Sequence, residues 1–366
     1  LQKREENSIS LAATADKGKL IDNPVFAGKV TPKNSMIMLI ALIIGLALPA
    51  CILFLLEFFR YKIEGHNDVA KLTNLPIIAD VAIASDRAKT KADIVVHENK
   101  NNLMEEIFRS LRTNLQFLLK EHDKVIMFTS TTSGEGKTFI ASNVAISFAL
   151  LGKKVVLVGL DIRKPRLAEL FEIDDHQHGI TNLLIKDNVK WSDVQNQIIP
   201  SEINENLDIL MAGPVPPNPG ELVTRKSLEE TIAELKEHYD YVLLDTAPVG
   251  LVTDTLALGR VANATVYVCR ADFTAKSSFG LINSLNFEKK LPNMSIVLNG
   301  VDLSKKKYGY YYGYGKYGKY GKYGNYGNHG NSKYGYSSYG SYGTYGSYGN
   351  YSNSHYGDAN DDSVKR

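Results

Sequence analysis

The sequence predicts an α/β domain with a doubly wound, mostly parallel sheet, preceded by a transmembrane helix and followed by a disordered tail. Between residues 124 and 301, short apolar runs such as residues 155–158 alternate with segments of helical periodicity. Continuous apolar runs indicate strands that are buried on both faces, as in a parallel sheet with helices on either side. An uncharged stretch precedes this region, and a segment rich in Tyr and Gly follows it.

The alternation predicts a specific order of elements. Strands are predicted at residues 124–129, 154–159, 207–211, 240–245, 264–269 and 295–299. Helices are predicted at residues 98–122, 137–151, 220–238, 253–262 and 274–290. The first of these helices carries an apolar stripe at spacing four, formed by Leu103, Ile107, Leu111, Leu115 and Leu119. Residues 60–97 contain scattered charges and only short apolar pieces, so they are predicted to be a linker.

The stretch from Met36 to Leu56 contains 21 residues without a charged side chain. A membrane-spanning helix needs about 20 predominantly apolar residues, so residues 36–59 are predicted to cross a bilayer once. The alternative is a buried helix of a soluble core, but such helices are seldom so long and so uniformly apolar. Positive charges before and after the span nearly balance, so their distribution does not orient it.

The net charge of +2 conceals a basic tail. Residues 305–366 contain nine Lys or Arg and three Asp or Glu, a balance of +6, which leaves 2 − 6 = −4 for the rest of the chain. The two cysteines, Cys51 and Cys269, form no disulfide framework and are expected to be packing residues.

The tail also has an unusual composition. Seventeen of the 21 tyrosines lie beyond Lys305, and Tyr recurs at every third residue from Tyr314 to Tyr326. A collagen-like structure is excluded because the segment contains no proline. It has almost no aliphatic side chains to bury, so it is predicted to be disordered. Its lysines could bind anionic lipid or nucleic acid, but no specific nucleic-acid partner is expected.

The strongest motif is residues 130–138, with the sequence STTSGEGKT. It follows a predicted strand and opens a predicted helix, which is the context of a phosphate-binding loop. Lys137 is expected to bridge the β- and γ-phosphates of ATP, and the Thr138 hydroxyl to bind Mg²⁺. The common pattern has Gly where this chain has Thr131, so the loop is a variant. The residues predicted to bind ATP are Thr132, Ser133, Gly134, Glu135, Gly136, Lys137, Thr138 and Phe139.

Two carboxylates lie at the ends of predicted strands. Asp161 follows the run at residues 155–158, and Asp245 ends the run at residues 241–244. The carboxyl ends of strands form the ligand-binding edge of a doubly wound sheet. Thr138, Asp161 and Asp245 are therefore predicted to bind Mg²⁺, and Lys137, Asp161 and Asp245 to be catalytic. One carboxylate could also accept a proton from a tyrosine hydroxyl. The alternative is that either Asp simply caps a helix.

These three motifs resemble those of the bacterial tyrosine kinases (BY-kinases), a family related to MinD/ParA-type ATPases. The resemblance covers roughly residues 20–310 and the Tyr-rich tail. It implies a P-loop NTPase fold and an ATP-dependent tyrosine autokinase that phosphorylates its tail in trans. It also implies control of capsule or exopolysaccharide polymerisation and export.

Such kinases are fused to a Wzz-like polysaccharide co-polymerase module. By this resemblance, residues 1–35 are the end of its extracytoplasmic domain and residues 98–304 are the kinase domain. Because ATP is cytosolic, the kinase domain is expected on the cytoplasmic side of a bacterial inner membrane. The implied partners are further copies of the chain in a ring, a protein-tyrosine phosphatase and the polysaccharide export machinery.

The chain departs from the family's pattern at two positions of its motifs. The family often has Pro where this chain has Ser133. The second acidic motif normally carries two Asp residues; Asp161 matches the later one, and Gly159 replaces the earlier one. This replacement shifts more of the expected work to Asp161. The third motif matches at Asp245 and Pro248.

By the same resemblance, Glu106, Arg109 and Arg112 match an E-x-x-R-x-x-R oligomerisation pattern. Their spacing independently places them in one stripe of the first helix, away from its Leu face. The alternative is a solvated face with an ion pair of little value. Residues 214–222 match a family loop whose role stays open, with a position between subunits as one possibility.

The tail tyrosines are the expected acceptors, namely Tyr314, Tyr317, Tyr320, Tyr323, Tyr326, Tyr339, Tyr342, Tyr345, Tyr348 and Tyr351. An alternative function is a MinD/ParA-type membrane-associated ATPase without tyrosine transfer. Those proteins have a second lysine early in the phosphate loop, where this chain has Thr131 and Thr132. A non-catalytic scaffold with a self-associating tail is disfavoured by the intact phosphate loop and acidic motifs.

Overall fold

The computed structural model describes residues 33–58, 61–84, 94–97 and 102–303, together with residues 3–5 and 7. It consists of two units, residues 1–60 and residues 61–366. The first unit contains helix α1 (Asn34–Phe58), which is long and apolar enough to cross a membrane. Its side chains over residues 34–55 are exposed, as expected of a helix whose solvent is lipid rather than a protein core.

The described residues of the second unit are built on one eight-stranded sheet. Its strands are β1 (Ile77–Ala82), β2 (Val125–Ser130), β3 (Val155–Leu160), β4 (Ile198–Pro200), β5 (Leu207–Leu210), β6 (Tyr241–Thr246), β7 (Ala264–Arg270) and β8 (Met294–Val301). Their order across the sheet is β1-β8-β7-β2-β6-β3-β5-β4. All neighbouring strands are parallel except β4 and β5, which are antiparallel.

Helices cover this sheet on both faces. They are α2 (His66–Leu72), α3 (Leu103–Leu118), α4 (Lys137–Ala149), α5 (Leu167–Leu170), α6 (Ile180–Leu184), α7 (Trp191–Gln195), α8 (Pro219–Leu222), α9 (Lys226–His238), α10 (Asp254–Leu258) and α11 (Ser278–Phe287). Successive strand residues enter opposite layers: Val155 and Leu157 join one buried cluster, whereas Val156 and Val158 join the other. Both faces are therefore core, and the ends of the strands are left for function.

The doubly wound, mostly parallel α/β fold predicted from the sequence is confirmed. All six predicted strands occur within a few residues of their expected bounds. The helix expected at residues 220–238 is divided into α8 and α9. Short elements without a strong periodic pattern were not predicted, namely α2, β1, β4, α5, α6 and α7.

The linker predicted at residues 60–97 is wrong for much of its length, and so is the start of the kinase domain at residue 98. Strand β1 pairs in parallel with β8, and Ile63, Val69 and Val81 are fully buried. One of the scattered charges that favoured a linker is paired inside the fold, because the Asp80 carboxylate lies 2.9 Å from His66 Nδ1. The compact unit therefore begins at Tyr61.

Candidate active site

The phosphate loop connects β2 to α4 at the carboxyl edge of the sheet. Gly134 and Gly136 adopt φ values of 91° and 96°, a conformation that residues with a side chain rarely adopt. The loop therefore needs glycine at both positions to curl around an anion. Helix α4 begins at Lys137, so its N-terminal N–H groups face the region that the loop encloses.

The loop is held from beneath by the buried side chain of Glu135. This carboxylate accepts hydrogen bonds from the Thr132 N–H at 2.7 Å and from the Thr274 hydroxyl. Burial raises the pKa of Glu135, although these hydrogen bonds oppose the shift. The Glu135 carbonyl oxygen accepts a hydrogen bond from Asn299 Nδ2 at 2.9 Å. Glu135 thus stabilises the conformation of the loop. Because the Thr132 N–H donates to Glu135, it is not free to bind a phosphate oxygen.

Arg270 makes a further contact from the end of β7. Its Nη1 atom donates to the Gly134 carbonyl oxygen at 2.9 Å. Arg270, Thr274 and Asn299 were not identified from the sequence, because they lie more than a hundred residues from the loop. The signal that could have found two of them is position, since Arg270 ends β7 and Asn299 lies near the end of β8.

Four side chains of the predicted site converge beside this loop. The Lys137 Nζ atom lies 3.0 Å from the nearer Asp161 oxygen and 3.9 Å from Asp245 Oδ1. The Thr138 hydroxyl donates to Asp245 Oδ2 at 2.8 Å. The two carboxylates are neighbours because β3 pairs with β6, and the Asp161 N–H donates to the Asp245 carbonyl oxygen at 3.0 Å. Neither Asp acts as a simple helix cap.

The electrostatics of this group follow from its burial. Burial alone would lower the pKa of Lys137, but the Asp245 and Asp161 carboxylates raise it above its usual value. Lys137 is therefore an ammonium ion at neutral pH. Burial raises the pKa of Asp245, with Lys137 and the Thr138 hydroxyl opposing the shift and Asp161 adding to it. A second cation near Asp245 would be stabilised by the same geometry.

A cleft of about 830 Å³ lies against Lys137, Thr138 and Asp161. Of the eight residues predicted to bind ATP, six line it, namely Ser133, Gly134, Gly136, Lys137, Thr138 and Phe139. Thr132 and Glu135 are not among its lining residues. The cleft is also lined by Lys164, Arg166 and Arg270, which the sequence did not single out. Their positive charges suit a polyphosphate ligand.

Gly159 lies in β3, two residues before Asp161. A Cβ atom at this position would lie 3.1 Å from Leu167 Cδ1 and 3.2 Å from the Ala212 nitrogen. A side chain here would therefore require both neighbours to give way. Asp161 is the carboxylate of this strand end that lines the cleft.

Arg163, in the second acidic motif, forms an ion pair with Asp254 at the start of α10. Its Nε atom donates to Asp254 Oδ2 at 2.7 Å. A Cβ atom on Gly220 would lie 2.9 Å from Asp254 Oδ1, so the loop backbone passes directly over this carboxylate. The loop at residues 214–222 therefore lies close to the Arg163–Asp254 pair within a single copy of the chain.

The predicted oligomerisation residues lie on α3. Glu106 and Arg109 form an ion pair with each other near the surface. Arg112 turns inward, and its Nη1 atom donates to the Ser147 carbonyl oxygen at 2.6 Å in α4. Arg109 and Arg112 line a second cleft of about 580 Å³. The ten predicted acceptor tyrosines lie beyond residue 303, outside the described residues.

A strand–loop–helix phosphate site with two carboxylates at adjoining strand ends defines a P-loop nucleotide-binding protein. A family model described as an AAA domain matches residues 123–296. The tyrosine-protein kinase YwqD of Bacillus subtilis (strain 168) is 33% identical over 226 residues, which is 61% of this chain and 93% of YwqD. The tyrosine-protein kinase Wzc of Salmonella typhi is 28% identical over 329 residues, which is 85% of this chain and 45% of Wzc.

Solved structures give the same result. The chimerical protein CapA2B2 is 30% identical, with a TM-score of 0.57, over 65% of this chain and all of that chain. The BceF tyrosine kinase domain is 28% identical, with a TM-score of 0.57, over 66% of this chain and 99% of that domain. The chain therefore belongs to the family of bacterial tyrosine-protein kinases.

Proposed function

We propose that this tyrosine kinase binds ATP and Mg²⁺ in the cleft beside the phosphate loop and transfers the γ-phosphoryl group to tyrosines of its own tail. The observation that carries the proposal is the convergence of Lys137, Thr138, Asp161 and Asp245 on one edge of the sheet. Lys137 would hold the β- and γ-phosphates, and the glycine loop would supply backbone N–H donors.

The residues present fit a magnesium ion. Asp245 Oδ1 is a buried oxygen without a hydrogen-bond partner, and the Thr138 hydroxyl lies on the neighbouring oxygen of the same carboxylate. Among the described residues, no group of three or more His, Cys, Asp or Glu side chains could hold a metal. Such a sparse set is normal for Mg²⁺, which proteins hold through one or two carboxylates together with phosphate oxygens.

Thr138, Asp245 and Asp161 would hold this ion. The ion would neutralise negative charge that develops on the phosphate oxygens. Lys137 currently compensates both carboxylates, so its ammonium group is positioned to move a short distance onto phosphate oxygens. Phosphoryl transfer depends mainly on positioning and charge stabilisation, which these residues provide.

We further propose that the tail is phosphorylated between copies of the chain in a ring, with α3 at the subunit contact. A tail predicted to be disordered can reach a neighbouring site. Each phosphate adds about −1.5 to −2 charges at neutral pH, so about four would cancel the tail's balance of +6. The loss of the tail's positive charge would loosen contacts between subunits, and removal of the phosphates by a protein-tyrosine phosphatase would restore them.

The whole protein is proposed to act in a bacterial inner membrane, where it regulates capsule or exopolysaccharide polymerisation and export. The helix at residues 34–58 supports a membrane location, and the kinase domain would lie in the cytoplasm with ATP. The chain spans 45% of the length of Wzc, so a co-polymerase module and the partners of the whole protein are part of this proposal.

The test is to incubate the full chain, purified in detergent micelles, with γ-labelled ATP and Mg²⁺. We expect label on phosphotyrosine, and none when EDTA removes the metal. Label released only as inorganic phosphate would contradict the proposal. That result would favour a MinD/ParA-type ATPase without tyrosine transfer.

A further inference from the structure

A small cavity of about 90 Å³ lies beside the cleft, where β3, β5 and β6 end. Gly159 forms part of its wall, and the catalytic carboxylates Asp161 and Asp245 form another part. The segment containing Asp175 and His176 also lines it. The cavity is therefore where the two catalytic carboxylates meet side chains from outside the three sequence motifs.

The catalytic carboxylates are engaged by other groups. The Asp161 carboxylate accepts hydrogen bonds from the Lys137 ammonium group at 3.0 Å and from the Lys164 N–H at 3.1 Å. Asp245 is 2% exposed, and one of its oxygens accepts the Thr138 hydroxyl at 2.8 Å. In the proposed function both carboxylates hold the magnesium ion as anions, so the proton of the acceptor tyrosine needs another acceptor.

The other carboxylates of the cavity are also paired. Glu169 lies 3.1 Å from Arg166. Asp175 accepts the His178 ring Nδ1 at 2.6 Å and two backbone N–H groups, which hold its pKa below the usual value. His176 is exposed, and within the described part of the chain its ring makes no hydrogen bond. Among the titratable groups lining the cavity, His176 is thus the proton acceptor that remains.

We propose that His176 is the general base that accepts the proton of the acceptor tyrosine. The proposal rests on the proposed function. The tyrosine oxygen forms a bond to the γ-phosphorus while the bond from that phosphorus to the bridging oxygen of ADP breaks. The phenolic proton passes to a ring nitrogen of His176, ADP leaves with the bridging electron pair, and the imidazolium then returns the proton to solvent. Imidazole suits this role because its charge changes near neutral pH.

The geometry at Gly159 supports this assignment. Gly159 has no side chain, and an added Cβ atom would lie only 3.2 Å from the Ala212 backbone nitrogen. The end of β3 therefore offers no further acceptor at that position. The charged and titratable groups that line the cavity with His176, and that would influence its protonation, are Asp161, Arg166, Glu169, Asp175 and Asp245.

The test compares His176→Asn with His178→Asn, because both rings lie in one segment but only His176 lines the cavity. The rate measured is phosphotyrosine formation on an inactive Lys137→Met chain, from pH 5.5 to pH 9, alongside binding of Mg²⁺-ADP. We expect His176→Asn to lower kcat at pH 7 by about a hundredfold and to remove the acid limb of the profile, with nucleotide affinity unchanged. His178→Asn should keep both the rate and the limb.

The proposal is overturned if His176→Asn retains its rate and its acid limb, or if the two variants lose activity equally. Equal loss would assign the segment a structural role only. Absence of phosphotyrosine from the unaltered chain is a different result, because it would refute the proposed transfer itself rather than the base.

Discussion

The side-chain amide of Asn299 lies directly against the backbone of Gly136. A Cβ atom on Gly136 would come within 2.1 Å of Asn299 Nδ2, which is the atom that donates to the loop at the Glu135 carbonyl. The end of β8 therefore sets the shape of the phosphate loop, which lies more than 150 residues earlier in the chain. Position 136 therefore needs a glycine for two reasons, namely its φ of 96° and the lack of space beside Asn299.

Gly136→Ala should abolish nucleotide binding and lower the melting temperature. The left-handed conformation alone costs about 1–3 kcal/mol with a side chain, and the displaced amide adds to that. Thermal melting and titration with Mg²⁺-ADP measure the two effects.

Two glycines provide controls for that experiment. Gly152 has a φ of 77° with no atom within 4 Å of an added Cβ, so Gly152→Ala isolates the backbone strain. Gly280 is helical with equally open space, so Gly280→Ala should be neutral or stabilising. Retention of full nucleotide affinity by Gly136→Ala would show that Asn299 does not shape the loop.

Lys137→Met should abolish phosphotyrosine and leave a folded chain. It should also lower stability, because Lys137 is buried and its loss leaves Asp161 and Asp245 without their cation. We expect Mg²⁺ to raise the melting temperature of Lys137→Met more than that of the unaltered chain. Lys120→Met, at an exposed lysine, is the control. Phosphotyrosine on purified Lys137→Met, free of other kinases, would refute the assignment of the site.

The residues on α3 should separate into two classes. Glu106→Ala with Arg109→Ala should cost at most about 1 kcal/mol, because an exposed ion pair contributes little, while reducing ring assembly and trans-phosphorylation. Arg112→Ala should cost about 1.5–3 kcal/mol because it removes a charged hydrogen bond to the Ser147 carbonyl. Light scattering measures assembly and thermal melting measures stability. If light scattering gives an unchanged mass for the first variant, Glu106 and Arg109 belong to an ordinary solvated face and have no role in assembly.

The ion pair between Arg163 and Asp254 should matter for transfer. Arg163→Ala frees the strand end that carries Asp161, and a displacement near the chemistry can lower the rate by about tenfold to a hundredfold. Exchanging the charges, with Arg163→Asp and Asp254→Arg together, should restore part of the loss. The pair of Lys186 with Asp193 has the same 2.7 Å separation but lies elsewhere on the surface, so Lys186→Ala should not change the rate.

Local patterns were enough to predict six of the eight strands in the described residues, and the three motifs. Four consecutive apolar residues predict a strand such as β3, and Asp161 follows directly after its last residue. Lys137 and Thr138 lie in one contiguous motif, and the glycines within that motif allow the loop conformation that binds phosphate. For these residues, the neighbours that matter in space are also neighbours in sequence.

The parts that were missed depend on contacts between distant segments. Strand β1 has a polar Asp80 in its centre and is a strand because β8 pairs with it, more than 200 residues later. Arg270 and Asn299 act on the phosphate loop from the ends of two other strands. His176 enters the site through an irregular segment without periodicity. Such roles need the three-dimensional arrangement.

Tail phosphorylation should be redundant. Phosphoryl transfer depends on positioning and charge rather than on a unique acceptor, and seventeen tyrosines follow Lys305. Changing any one of them to Phe should barely alter total phosphorylation. Deleting residues 308–356 should remove nearly all of it without affecting nucleotide binding.

Transfer should also occur between molecules. A Lys137→Met chain that keeps its tail should be phosphorylated by an active chain from which residues 308–356 are deleted, because the intact tail then belongs to the inactive partner alone. Mass spectrometry of this mixture assigns every phosphate to one chain and one tyrosine. Phosphate confined to a single tyrosine would refute redundancy. An unmodified Lys137→Met chain would refute transfer between molecules, and ATP consumption in that mixture would indicate an ATPase whose tail serves another purpose.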